Sequence, residues 1–483
     1  MKRPLSPDQV PRLHTMVLRA LALALLGIQT TYSAVFFQNA AHLPQDAEYD
    51  FIIAGGGTGG GVVAARLAEN PNWKILVVEA GRSNKDVFQT IPPGLCPELV
   101  KSSIDWNYTT VPQAGANGRS AAYSRAKILG GCSSHNGMVY TRGAKDDWNK
   151  WAEITGDDAL AWDNILPLIF KAEHLVVDSE GQPLQGRLDP SLHGHNGNVT
   201  KELPHEFPFV LDFNGGTQIG VAWNQFTIDG DSQRSSSATA FDRDTALAEW
   251  NATRSGPLTV PGHLKNQIIA VRLPDDAPPF SQYGFDDPTP GPTAPHLEIY
   301  HSAITQNLPN PNGQVPIPPE VGNITTVQLS AVNVHPKSRG SVTLNSSDPF
   351  AYPNIDVGLL SEDVDLAIMR EVIRSARRLY EAPVFKNSVF GSVYPAANIT
   401  SDEDLNEFIR GVAGPYLHGS SSAAMSPRGV SWGVVDPDFR VKGTAGLRVV
   451  DASVLPTVPS GHTQAPVFGF AERASLLIRK VWE

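Results

Sequence analysis

The chain has 483 residues, 41% of them hydrophobic and 18% charged, with a formal net charge of -11. Single hydrophobic cores stop growing near ~250–300 residues, so two lobes are expected. The acidic balance, with no basic cluster beyond the N-terminus, excludes a nucleic-acid partner, and the composition is neither that of a disordered chain nor that of a membrane-spanning one.

Lys2, Arg3, Arg12 and Arg19 precede an apolar run from Leu21 to Ile28 and a small, polar stretch reaching Ser33 and Ala34. That order predicts a secretory signal peptide over residues 1–34 and an extracellular protein. The run falls short of the ~20 apolar residues a bilayer-spanning helix needs, so no stable membrane span is expected. Met16 is an alternative start. Asn-x-Ser/Thr sequons at Asn107, Asn198, Asn251, Asn323, Asn345 and Asn398 suit a secretory route, and some arise by chance. Cys96 and Cys132 are too few for a disulfide framework, and two unpaired thiols are at least as plausible as one bridge.

Tyr49 to Ala54 is an apolar run of strand type, followed by a glycine cluster, a helical stretch from Val62 to Glu69, and a second strand from Ile75 to Glu79. This strand-turn-helix-strand unit opens a parallel, doubly wound sheet. Gly55, Gly57 and Gly60 form G-x-G-x-x-G between strand and helix, with Glu79 closing the second strand 79 − 60 = 19 residues later. The first glycine permits the tight turn, the second lets backbone approach a pyrophosphate, the third lets helix and strand pack, and the helix N-terminus, opened by Thr58, offers N–H groups to the anion. Glu79 would accept from ribose hydroxyls. A dinucleotide site is predicted over a merely structural turn, and the choice between NAD and FAD stays open on this unit alone.

Pro92 to Gly131 reads as extended, loop-dominated chain, and Trp148 to Phe170 as helical. Turn residues dominate Gly181 to Gly230, Ala246 to Trp250 is a brief helical piece, and Pro257 to Pro319 is Pro-rich enough to be irregular or built of edge strands. Thr326 to Val334 and Ser341 to Leu344 alternate like antiparallel strands. Ser361 to Tyr380 is an amphipathic helix with Ser361 as N-cap and acids in its first turn. Leu447 to Asp451 reads as strand and Ala465 to Val481 as the last helix.

Three blocks carry a resemblance to a known family. RAKILGGCSSHNGMVYTRG, from Arg125 to Gly143, resembles the flavin-contacting signature of the glucose-methanol-choline (GMC) oxidoreductases, DWNYTTVPQ before it resembles the segment that usually precedes that signature, and Leu417 to Ile478 is similar to the family's C-terminal block. The aryl-alcohol oxidase-like branch looks closest. The resemblance implies FAD as cofactor and an α/β fold: a Rossmann-like FAD-binding domain with a second α+β substrate-binding domain on an antiparallel sheet. The division expected is 46–200 for the first part of the FAD-binding domain, 201–424 mainly for substrate, and 425–483 for the return to the FAD-binding domain.

Carried over residue by residue, Gly130, Gly131, Asn136, Gly137, Met138 and Val139 would run along the pyrophosphate and flavin ring. Asp451 and Ala452 would approach pyrophosphate and ribitol, while Thr463 and Gln464 would sit at the pyrimidine side. Without the resemblance, Asp451 reads as a turn acid. Cys132 and His135 depart from the usual family residues, close to where the flavin should lie.

Oxidising an alcohol removes a hydroxyl proton and a hydride from carbon, and histidine suits the proton transfer. His418 and His462, 462 − 418 = 44 residues apart, match the family's paired active-site positions. The resemblance implies His418 as base and His462 as its partner on the substrate oxygen, with flavin taking the hydride. The other histidines, His335 among them, are given no role, and His193 and His195 lack the further ligands a metal site needs. Trp223, Phe226, Tyr300 and Phe468 serve equally as pocket lining or core.

One departure is large. Between Ser235–Ala240 and Thr253–Gly262 the family carries a long block, absent here, where Phe241 to Trp250 runs straight across. Its loss removes part of the Rossmann sheet. The expectations are therefore an FAD-dependent oxidase converting a primary aryl or allylic alcohol to an aldehyde with oxygen as acceptor, a quinone-dependent dehydrogenase of the same fold, or a non-redox or inactive flavoprotein.

Overall fold

The computed structural model describes residues 35–173, 189, 192, 212–223, 225–226, 267–304, 326–385, 391–392 and 394–483. The leader, the sequons Asn198, Asn251 and Asn323, and residues 227–266, where the family block is missing, lie outside the described residues. The chain separates into two compact units, residues 1–48 and 49–483. In the first, the described part holds one 3-10 turn, Ala40–His42, capped by the Asn39 side chain.

The second unit begins with β1 (Phe51–Ala54), α1 (Thr58–Ala68) and β2 (Ile75–Val78), β1 and β2 pairing in parallel with Phe51 opposite Ile75. The helix starts four residues earlier than the apolar pattern indicates, inside the glycine cluster. Short pairs follow: β3 (Tyr108–Thr109) with β4 (Ala122–Tyr123), and β5 (Val139–Tyr140) with a later strand. The helical stretch expected from Trp148 to Phe170 is two helices, α2 (Lys145–Thr155) and α3 (Trp162–Ala172), because Gly156 takes a left-handed φ of 67° that stops the first.

β6 (Gly220–Trp223) and β7 (Gln225–Phe226) come next, β7 pairing with β5. Then come β8 (Gln267–Val271), the short α4 (Pro278–Ser281), β9 (Leu297–Ile304) and β10 (Thr326–Asn333). These build an antiparallel sheet in the order β10-β9-β8-β6. Chain read as irregular or edge strand thus supplies two interior strands, since its prolines fall before and after β8 and β9 and leave every ladder N–H in place. β11 (Ser341–Thr343) pairs with β12 (Asn354–Asp356), and α5 (Asp363–Glu381), α6 (Asp402–Val412) and α7 (Gln464–Trp482) complete the unit. The N-cap of α5 is Glu362, not Ser361, and Ser338 Oγ accepts the Glu362 N–H. Leu447 to Asp451 is not a strand: it is tied by one isolated bridge between Arg440 and Arg448 and by backbone bonds from Val449 N–H to Phe439 O and from Val441 N–H to Leu447 O.

Two packing relations position the site. Against α1 and α7, Val62, Val63, Leu67, Phe468, Ala471 and Ile478 form one core that covers the Phe51, Ile53 and Ile75 face of β1 and β2. Arg66 clamps the two helices together with Nε and Nη2 on the buried Glu472 carboxylate. In the larger sheet, Ile269, Leu297 and Ile299 face Val364, Ile368 and Val372 of α5, while Ile268, Ala270 and Tyr300 face the other way. The period of two therefore sends Glu298 and Tyr300 to the face away from α5. No helix among the described residues is long and apolar enough to cross a membrane.

Candidate active site

The glycine turn is close-packed for a physical reason. A Cβ on Gly60 would lie 2.1 Å from Gly55 O, and one on Gly59 would lie 2.2 Å from Val450 O, so α1 sits against both its own strand and the 447–451 segment. Gly55 itself takes φ 100°, open only to glycine without strain. α1 begins at Gly57 with no side-chain cap, Thr58 being its first residue, and Gly131 approaches so near that a Cβ there would lie 2.7 Å from Gly57 Cα. The Glu79 carboxylate accepts from Gly56 N–H and Gly81 N–H at 2.9 and 2.8 Å, which fixes the acid beside the turn.

The second block comes to the same place. Gly130 N–H donates to Gly56 O, both Gly130 and Gly131 have positive φ, and Met138 takes φ 64° with its N–H donating to Asn136 Oδ1. Asn136 Nδ2 donates to Gln464 Oε1 at 2.9 Å, joining this loop to the start of α7, which Thr463 caps. Gln464 Nε2 is buried with no hydrogen-bond partner among the described residues. Gly137 is exposed and Val139 opens β5. Asp451 accepts from Ser453 N–H and Oγ as the N-cap of a 3-10 turn beginning at Ala452, so the turn role is real here. His135 is buried with Nε2 3.0 Å from Leu99 O, and Cys96 and Cys132 form no disulfide.

FAD fits these residues. A glycine-led helix N-terminus suits a pyrophosphate, the Gly57–Gly131 approach leaves no side chain between two backbone segments, and Gln464 offers a buried donor in need of an acceptor.

His418 and His462 are together, their ring centroids 4.9 Å apart at 74°. Backbone bonds from Ser421, Ala423 and Met425 to Ala452, Ser453 and Val454 hold the His418 loop against the tail. His462 N–H donates to Thr141 Oγ1 at 2.9 Å. Tyr416 meets His418 edge-on at 4.8 Å and stacks on Tyr300 at 6.0 Å.

Behind this pair lie Tyr300, expected from sequence only as pocket lining or core, and Glu298, which no motif marks. Tyr300 Oη donates to Glu298 Oε2 at 2.5 Å and lies 2.6 Å from His462 Nε2, with Glu298 and Tyr300 both buried. Because a phenol has one proton, its donation to Glu298 leaves His462 Nε2–H as donor to the phenol oxygen. Burial, with Glu298 next, pushes the Tyr300 phenol far above its ordinary range, and burial does the same to Tyr416. Both stay protonated. The alternation L-E-I-Y was the available signal for a Glu298–Tyr300 pair on one strand face.

This fold and this cluster of residues are those of a flavin-dependent oxidoreductase, and the chain belongs to the GMC oxidoreductase family, whose N-terminal domain matches residues 49–253 and whose C-terminal domain matches residues 336–471. It is 43% identical to pyranose dehydrogenase of Agaricus campestris over 96% of this chain and 98% of the relative, and 42% identical to pyranose dehydrogenase 3 of Leucoagaricus meleagris over 98% and 99%. Among solved structures, an Aspergillus oryzae formate oxidase superposes with TM-score 0.74 at 23% identity, covering 90% of this chain and 98% of that one. A fungal aryl-alcohol oxidase superposes with TM-score 0.70 at 20% identity, covering 90% and 99%. The alignment with the A. campestris enzyme runs over 592 positions, so at least 592 − 483 = 109 of them meet no residue of this chain.

Proposed function

We propose that this chain oxidises a hydroxyl of a pyranose sugar and hands the electrons to a quinone-type acceptor, in preference to an aryl alcohol and oxygen. The observation that carries hydroxyl oxidation is the meeting of His418, His462, Tyr300 and Glu298 in one cluster, half-buried at His418 and buried at the other three. The sugar and the acceptor are supported by the 41–43% identity to four pyranose dehydrogenases over 95–98% of the chain, whereas the aryl-alcohol oxidase likeness shows the fold alone. A site walled by two imidazoles and the Tyr416 phenol also offers hydrogen bonds that a polyhydroxylated ligand uses and an aryl ring does not.

Residues 46–200 and 425–483 would hold the cofactor and 201–424 the substrate, after removal of residues 1–34 on export. FAD, when bound, supplies the hydride acceptor. His418 takes the hydroxyl proton. His462 holds the substrate oxygen, and its orientation is set by Tyr300 behind it, which in turn is held by the Glu298 carboxylate. Gly55, Gly57, Thr58, Gly60 and Glu79 bind the dinucleotide end; Gly130, Gly131, Asn136, Gly137, Met138, Val139, Asp451, Ala452, Thr463 and Gln464 surround the rest.

The test is an absorption spectrum of the purified protein followed by anaerobic addition of glucose and of an aryl alcohol. Bleaching by the sugar, with reoxidation by benzoquinone and little peroxide in air, is expected. Bleaching by the aryl alcohol alone, or peroxide at the rate of sugar turnover, overturns the reading.

A further inference from the structure

Apart from the histidine pair, three polar side chains lie buried together: Asp147 at the start of α2, His335 just after β10, and Ser460 two residues before His462. Ser460 Oγ donates to Asp147 Oδ1 at 2.9 Å and Ser460 N–H donates to Asp147 Oδ2 at 2.9 Å. Asp147 Oδ2 also accepts from Ala144 N–H at 2.8 Å. His335 Nε2 lies 2.6 Å from Ser460 Oγ and 3.6 Å from Asp147 Oδ1.

The residue types are those of a hydrolase triad, yet the order is wrong for one. Here the carboxylate bonds the serine instead of orienting the imidazole, and the hydroxyl is wholly buried, so no acyl group can reach it. What the three do share is a turn. With its proton given to Asp147, Ser460 Oγ must accept from His335 Nε2–H, and the hydroxyl is then fully engaged. On the far side, a Cβ on Gly461 would lie 2.4 Å from Thr141 Oγ1, the same oxygen that accepts from His462 N–H. The turn 459–462 is thus gripped at Ser460 by α2 and the 335 segment, and at His462 by Thr141.

We propose that Asp147, Ser460 and His335 are positioning residues for His462, and that one proton shared within them switches the turn between two hydrogen-bonded arrangements. The proposal rests on His462 being a member of the active pair. With Asp147 ionised the bonds run from His335 to Ser460 to Asp147. A proton on Oδ1 reverses them, Asp147 donating to Ser460 and Ser460 to His335 Nε2, which requires the other imidazole tautomer. A proton on Oδ2 instead opposes the N–H groups of Ala144 and Ser460. Either way the turn that aims His462 feels the carboxyl's state.

Burial acts in the same direction on both groups, toward the neutral form. It drives Asp147 up to about 7 against the hydrogen bonds from Ser460 and Ala144, which pull it down, and neighbouring Asp146 adds to the rise. Burial drives His335 down to about 3, with His296, Arg272 and Arg339 acting the same way and Asp287 opposing. The imidazole therefore stays neutral while the carboxyl exchanges its proton near neutrality.

The deciding experiment follows the His462 ring by NMR of protein labelled at histidine, its signal assigned with His462→Ala, alongside kcat and KM per bound flavin. In the parent the ring signal should shift near pH 7, and the shift should vanish in Asp147→Asn. Ser460→Ala should lower kcat roughly 10- to 100-fold with KM little changed, as a displaced catalytic group does, and His335→Gln, which keeps a donor, should recover most of it. A flavin-loaded Ser460→Ala with parental kcat and an unmoved ring signal overturns the proposal. Should Ser460→Ala or Asp147→Asn fail to fold, the parent titration and His335→Gln decide: a ring signal flat through pH 6–8 sinks the switch. Parental kcat in His462→Ala would instead refute the active-pair reading, and the ring titration would still judge the network.

Discussion

The Tyr300 hydroxyl stands 2.6 Å from His462 Nε2 and 2.5 Å from Glu298 Oε2, so an interior sheet strand ties one histidine of the pair to a buried carboxylate. Tyr300→Phe keeps the ring's packing and removes both bonds. Glu298 then loses a buried donor, which costs about 1–3 kcal/mol, and His462 loses its anchor. We expect a lower melting temperature and kcat reduced about 10-fold or more with flavin content retained, read by steady-state kinetics on flavin-normalised enzyme. Unchanged kcat would show that Tyr300 does not position His462.

The glycine turn allows a sharper contrast. Gly60→Ala places a methyl 2.1 Å from Gly55 O, a backbone atom that cannot swing aside, whereas Gly118→Ala meets nothing within 4 Å and strains only its positive φ. Gly60→Ala should abolish the visible flavin absorbance and lower stability, by more than the roughly 1 kcal/mol expected of Gly118→Ala. Spectra and thermal melts of the two variants make the comparison. Equal flavin content in both would mean that the α1 N-terminus does not carry the pyrophosphate.

What sequence made legible follows the range of the interactions involved. β1, the glycine turn, β2 and Glu79 are contiguous, so periodicity and spacing sufficed. The His418–His462 pair needed the family resemblance, because nothing local marks two loop histidines 44 positions apart. Flanking prolines hid β8 and β9 as interior strands, and with them Glu298 and the bond that Tyr300, legible only as pocket lining or core, makes to it. The capped helix α6 was readable from Ser401 and the acids after it, Ser401 Oγ accepting the Asp404 N–H, but was passed over. Asp147 and Ser460 are separated by 313 residues and His335 and Ser460 by 125, so only the assembled chain brings them into contact.

A parallel sheet is normally covered on both faces. Here Phe51, Ile53 and Ile75 are covered by α1 and α7, but Ile52 and Val78 on the opposite face are 68% and 51% exposed. Our proposal is that the block expected between Ala240 and Thr253, and absent from this chain, would cover that face. This chain should bind a fluorescent apolar dye more strongly than a pyranose dehydrogenase that carries the block, and Ile52→Ser with Val78→Ser should reduce the excess at little cost in melting temperature, about 0.5 kcal/mol or less for each exposed site. A large loss of stability in the double variant would mean that this face is covered in solution.

His335 and Asp147 give the network an acid–base signature in stability as well. His335 is held down to about 3 in the folded chain, below its ordinary value, so the stability it contributes is fully present above about 6.5 and is lost as pH falls toward 3. Asp147, raised to about 7, acts in the opposite sense: its contribution is present below about 4 and is lost as pH rises through 7. Between about pH 4 and 6.5 the two slopes oppose each other. Removing the imidazole with His335→Gln takes away only the first, so the variant should fare better relative to the parent at pH 4.5 than at pH 7. Each pKa unit separating the folded and unfolded states corresponds to about 1.4 kcal/mol, so urea midpoints at those two pH values should resolve the change. A parent-to-variant difference that is the same at both pH values would mean that His335 is not held neutral by its burial.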